Sequence, residues 1–192
     1  MRLGKTILIC IAIAFVCLFG MVMMQNMFVE MFIAWGWETR TDPVEQWDTL
    51  FANGFFVTFL WAGIAIVLIE ELIFRFGICK GLRHFKVKDW VIIAISSVLF
   101  MLWHWSFSQA IYQLIMGVIL AVIYLRTDNI LWVLLIHFIN NAFIVTYTYL
   151  TGPATGTFSL TFGSITLAIA VAVVANVAVW FLIKGLPNAK KR

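Results

Sequence analysis

The chain is 192 residues long, 64% hydrophobic and only 11% charged, with a mean hydropathy of +1.02. A soluble domain of this size carries about 25% charged residues, so the composition excludes an ordinary water-soluble fold and indicates one integral membrane domain over 1–192. The formal charge of +4 is no nucleic-acid signal, because the basic residues stand beside apolar runs rather than along one face.

The first apolar run, 6–24, follows Arg2 and Lys5. At about 19 residues it exceeds a signal-peptide core of 7–15, and no small-x-small site follows, so it is expected to be a retained span. Residues 25–50 read as a polar-aromatic connection carrying Glu30, Glu38, Arg40, Asp42, Glu45 and Asp48 with Trp35, Trp37 and Trp47. Interfacial tryptophans suit a surface-lying segment. Phe28 to Trp37 is expected as an interfacial helix, and the rest as a solvated loop or a lid. The second span covers about 51–74, and 75–89 is a basic loop with Arg75, Lys80, Arg83, Lys86 and Lys88.

The stretch 90–125 is apolar except around Trp105-Ser106-Phe107-Ser108-Gln109, which predicts two antiparallel spans, 90–105 and 109–125. Arg126-Thr127-Asp128-Asn129 turns into a fifth span, 130–150. The uncharged breaker Thr151 to Gly156 precedes a sixth, 160–183, with Lys184, Lys190, Lys191 and Arg192 beyond it. Lys and Arg fall in alternate connections, so the expected fold is an all-α polytopic transmembrane bundle of about six spans with both termini cytoplasmic. The cysteines Cys10, Cys17 and Cys79 lie in or beside apolar runs without metal-ligand spacing, and read as packed thiols. Spans three and four hold roughly 16–17 residues per arm, ~25 Å each against a ~30 Å hydrocarbon core. Their turn is therefore expected inside the bundle, where protein or a water cavity tolerates it.

Three polar groups interrupt the apolar runs. Glu70 and Glu71 precede Arg75; His104 follows Phe100 by four residues; Asn141 follows His137 by four. An ionisable group in the bilayer costs at least ~2.5 kcal/mol and marks a functional site by default. Glu71 and Arg75 share a helix face in the favoured order for an ion pair, while Glu70 points about 100° away. Arg75 is thus expected to neutralise Glu71 and leave Glu70 to act as a poorly solvated carboxylate able to take or hold a proton. Counted from the cytoplasmic side, Glu70 lies at ~9 Å, His137 at ~11 Å, Asn141 at ~17 Å and His104 at ~20 Å, unless tilt or the internal turn corrects the last. Asn140 is offset from Asn141 and expected to make a structural hydrogen bond. His84 falls in the basic loop and is expected to stand apart.

With these motifs in order (Glu70-Glu71-Leu72-Ile73-Phe74-Arg75, Phe100 to His104, His137 to Asn141) the chain resembles the CAAX-protease and bacteriocin-processing, or CPBP, family of intramembrane endopeptidases. The resemblance covers about 70–145, which would be the catalytic core. It implies Glu70 as the general base on water, aided by His104, with His137 and Asn141 holding the oxyanion of the tetrahedral intermediate. Glu71, Arg75 and Phe100 would be supporting residues. A Zn2+ ion on Glu70, His104 and His137 and metal-free activation of water stand as alternatives; the His-Glu-x-x-His helix of common zinc proteases is absent.

The resemblance further implies a peptide or membrane-protein substrate cleaved beside the membrane lipid. The compact chain looks like the bacterial branch, which points to the plasma membrane and to a leader peptide, signalling peptide or membrane-protein tail. Two other classes compete. One is a non-catalytic membrane partner of the same fold, such as a bacteriocin-immunity or scaffold protein. The other is a haem or ion-translocating protein using His104 and His137.

Overall fold

The computed structural model describes residues 3–37, 42–105, 107–152 and 160–189. Arg2, Arg40, Ser106, the breaker from Pro153 onward and the basic tail Lys190 to Arg192 lie outside the described residues. Seven helices make up the described chain: α1 (Leu3–Ala34), α2 (Asp42–Phe51), α3 (Phe55–His84), α4 (Asp89–Trp103), α5 (Phe107–Thr127), α6 (Ile130–Thr151) and α7 (Phe162–Lys184). The all-α bundle expected from the composition is what the structure shows. Among the described residues five helices, α1, α3, α5, α6 and α7, are long and apolar enough to cross a membrane, against about six expected; α4 is apolar but only 15 residues long.

Three stretches differ from the sequence reading, one of them α2, a helix over Asp42–Phe51 where a solvated loop or a lid was expected. α1 runs for 32 residues, ~48 Å, straight through the segment expected as a connection with its own interfacial helix. The polar pair Gln25-Asn26 does not stop it, because neither residue removes a backbone donor or forces φ. The ladder ends only before Gly36, whose φ of 74° opens the turn. Phe32, Trp35 and Trp37 cluster there, with ring centroids 5.4–5.9 Å apart, as an aromatic belt at a helix end would. The third correction concerns the basic loop: α3 continues to His84, so Arg75 is an internal helix residue with no exposed surface, and the connection shrinks to 85–88.

α3 is not uniform. Two π-helical stretches, Phe59–Ala65 and Leu72–Cys79, flank an α-helical piece, Ile66–Glu71, that carries both carboxylates. A π turn holds one extra residue and is frequent at functional sites. The carbonyls of both wide turns have side-chain donors on neighbouring helices. Asn141 Nδ2 donates to Ala62 O at 3.1 Å and Ser96 Oγ to Phe74 O at 3.4 Å.

α5 runs through the centre, with Met116, Ile119, Leu120, Ala121 and Ile123 buried against Ile13, Ala14 and Cys17 of α1 and Val133 and Ile136 of α6. All three cysteines are free and buried. Without a hydrophobic drive between helices in lipid, close approach and interhelical hydrogen bonds must hold the bundle. Gly117 supplies the approach of α5 to α4: a Cβ there would stand 3.0 Å from Ser97 Cα. At one end Arg126 Nη2 donates to the carbonyls of Lys184 and Leu186, at 2.9 and 3.3 Å, satisfying the C-terminus of α7.

Candidate active site

The carboxylates, both imidazoles and the arginine meet between α3, α4 and α6. Glu70 is 2% exposed, and Glu71 and Arg75 are fully buried. Arg75 Nε lies 3.1 Å from Glu71 Oε2, the ion pair expected from the four-residue spacing. Arg75 also donates from Nη2 to Gly117 O at 3.4 Å. Glu71 does more than neutralise it: its other oxygen, Oε1, lies 2.7 Å from His137 Nδ1. A carboxylate only accepts, so the ring proton sits on Nδ1, and Nε2 is turned to Glu70 Oε2 at 3.6 Å.

His104 is oriented in the same way by a different acceptor. Its Nδ1 donates to Phe100 O at 2.9 Å, which leaves Nε2 facing Glu70 Oε1 at 3.7 Å. Glu70 thus stands between two imidazoles that both present Nε2 to it. Helical counting placed His104 some 10 Å deeper than Glu70. The short α4, which ends in a turn with Trp105 at φ 48°, brings it level.

Phe100 is the hub of the packing. Its fully buried ring has Arg75 Cζ 4.7 Å from its centroid, the His104 ring at 4.9 Å, the His137 ring at 5.8 Å and Phe74 at 5.2 Å. A desolvated cation–π contact contributes ~2 kcal/mol, which offsets part of the cost of burying the guanidinium. Phe100→Ala is expected to cost about 3–5 kcal/mol, read as a lower melting temperature of the purified protein in detergent. A loss below about 1 kcal/mol would show that the ring is not what holds these groups together.

Asn140 and Asn141 diverge as their helical phase requires. Asn140, buried, donates to the Tyr112 hydroxyl on α5, the structural hydrogen bond expected of it. Half-buried Asn141 turns to α3, on the same face of α6 as His137. His84 is exposed at the end of α3, apart from the cluster as expected. Trp103, beside Glu70, and Ser96 escaped the sequence reading. Only the position of Trp103 beside His104 could have singled it out, and Ser96 carries no local signal.

Two imidazole Nε2 atoms and a carboxylate are a chemically suitable donor set for zinc, and the Nδ1 partners resemble the outer hydrogen bonds of such ligands. Among the described residues, however, no group of three or more His, Cys, Asp or Glu side chains is arranged to hold a metal ion. The side chains as they stand do not form a metal cradle, and no step below runs through one.

A buried carboxylate pair facing two oriented imidazoles, among helices of membrane-spanning length, defines a multi-pass membrane protein with an internal acid–base cluster. Residues 52–143 match the family described as Rce1-like, type II CAAX prenyl endopeptidase, which is the group the chain's three motifs resemble. The matched region contains every residue of the cluster. No curated protein and no solved structure matches the chain. That match supports, in general terms, an intramembrane CAAX-type endopeptidase with a protein or peptide substrate in a membrane setting.

Proposed function

We propose that the protein hydrolyses a peptide bond of a membrane-associated peptide or protein at Glu70, His104, His137 and Asn141. The observation that carries this is the pair of imidazoles, each held at Nδ1 and each presenting Nε2 to one buried carboxylate. Glu70 takes a proton from water as the oxygen attacks the scissile carbonyl, with His104 Nε2 as the second acceptor in reach. The carbonyl oxygen becomes the oxyanion of the tetrahedral intermediate, received by His137 and by the Asn141 carboxamide. To donate there, His137 needs a proton on Nε2 as well as Nδ1, and protonated Glu70, 3.6 Å away, is the neighbour that supplies it. When the C–N bond breaks, the same proton leaves with the amine, so water and peptide balance to a carboxylic acid and an amine.

Glu71 holds His137 in the required tautomer, and Arg75 holds Glu71 in place. The prenyl substrate named in the family description and a leader or signalling peptide of a bacterial plasma membrane are both within this chemistry. The test is comparative proteomics of membranes carrying the wild type or Glu70→Ala, with metal analysis of the purified protein alongside. Membrane peptides cut only by the wild type support the peptidase. Identical peptide termini in both membranes, with a partner's protection surviving the substitution, would assign the chain to a non-catalytic role.

A further inference from the structure

We propose that Asn141 is a positioning residue as well as a donor: it latches the first wide turn of α3 and so sets the rotation at which Glu70 and Glu71 meet the histidines. The inference rests on the reading of those carboxylates as the working site. Nine residues separate Ala62 from Glu71. Along an unbroken α-helix that is ~900°, two and a half turns, which puts the two positions on opposite sides. Yet α6 grips both: Asn141 takes the Ala62 carbonyl at 3.1 Å and His137, one turn earlier, takes the Glu71 carboxylate at 2.7 Å.

The π-helical stretch Phe59–Ala65 eases these contacts, because the part of its widened turn that follows Ala62 takes out some of the accumulated rotation. A wide turn also weakens the i→i−4 ladder, so its carbonyls are open to an outside donor. Asn141 is such a donor, and its second N–H remains for the reaction. At the other side of the carboxylates the second wide turn, Leu72–Cys79, is met in the same manner by the fully buried Ser96, through Phe74 O. The α-helical piece Ile66–Glu71 is therefore held between two side-chain latches, one from α6 and one from α4. If Asn141 lets go, the wide turn can tighten, and one residue of register turns Glu70 about 100° away from the histidines.

The experiment uses the full chain in lipid nanodiscs with 15N-labelled histidine, comparing wild type, Asn141→Ala, Asn141→Asp and Asn141→Gln. Hydrogen exchange of the amides from 59 to 71 is expected to quicken at least tenfold in Asn141→Ala, with shifted ring-nitrogen signals for His104 and His137. The His84 signal, outside the cluster, stays unchanged and serves as the reference. Asn141→Asp, of nearly the same shape but lacking the N–H, behaves like Asn141→Ala and replaces it if that variant does not fold. Asn141→Gln, which keeps the N–H, restores part of the protection. Unaltered exchange and ring signals in both the Ala and Asp variants overturn the latch, and so does a Gln variant no better than Ala. Neither readout uses turnover, so a failed peptidase reading leaves this result standing or falling by itself.

Discussion

Glu70→Gln is expected to abolish peptide hydrolysis while leaving the bundle folded. Among the described residues Glu70 is the one group that faces both imidazole Nε2 atoms, at 3.6 and 3.7 Å, and a carboxamide can neither take the proton of water nor pass one on. Loss of a general base alone costs ~10²–10⁴-fold. Because the same carboxyl carries the proton to His137 and to the leaving amine, the upper part of that range is expected. Stability should move little or rise, since the substitution removes a charge buried next to another carboxylate and keeps its volume. The measurement pairs a cleavage assay, on a substrate found by the proteomic comparison, with thermal denaturation in detergent. An intact, active Glu70→Gln protein would show that the reaction does not use this carboxylate.

Glu71→Gln is the counterpart, and it is expected to strike both fold and reaction. The two oxygens of Glu71 serve two donors, Arg75 Nε at 3.1 Å and His137 Nδ1 at 2.7 Å. A glutamine has one acceptor oxygen, so whichever donor keeps it, the other meets an NH₂ group. In either case the fully buried guanidinium is left without its counter-charge, at about 3–5 kcal/mol. For a chain of this size that lowers the melting temperature by roughly 6–20 °C. If His137 loses, its tautomer is no longer held, and the carboxylate behind an imidazole is known from serine proteases to be worth ~10⁴ in rate. The helical phase of the motif alone assigns Glu71 to the scaffold; its contact with His137 adds activity to the expected loss. The sharp comparison is between the two variants. Glu70→Gln should retain its melting temperature and Glu71→Gln should not, and two indistinguishable melting curves would refute the division of labour between the adjacent carboxylates.

What the sequence determined by itself is what rests on local periodicity. Runs of apolar residues long enough for a bilayer predict the helices, and the four-residue spacings predict the Glu71–Arg75 pair, the Phe100–His104 contact and the shared face of His137 and Asn141. Each of these depends only on the pitch of one helix. The failures are instructive for the same reason. Gln25-Asn26 looked like the end of a span because hydropathy drops there, but a helix ends where backbone hydrogen bonding or φ is broken, which happens at Gly36. Arg75 looked like part of a basic loop because its neighbours are basic, whereas its burial is decided by Phe100 and Gly117 on other helices.

Everything that turns the polar residues into one cluster belongs to the tertiary structure. The level at which His104 meets Glu70 follows from the shortness of α4 and the turn after it, not from counting along the chain. The second use of Glu71, as the acceptor for His137, lies 66 residues away in sequence and has no periodic trace. Least legible of all are the two wide turns of α3. No composition marks them, and the side chains that donate to their carbonyls, Asn141 and Ser96, stand on other helices. The residues that can carry the chemistry are written along the chain, but the rotation that faces them toward one another is a property of the packed bundle.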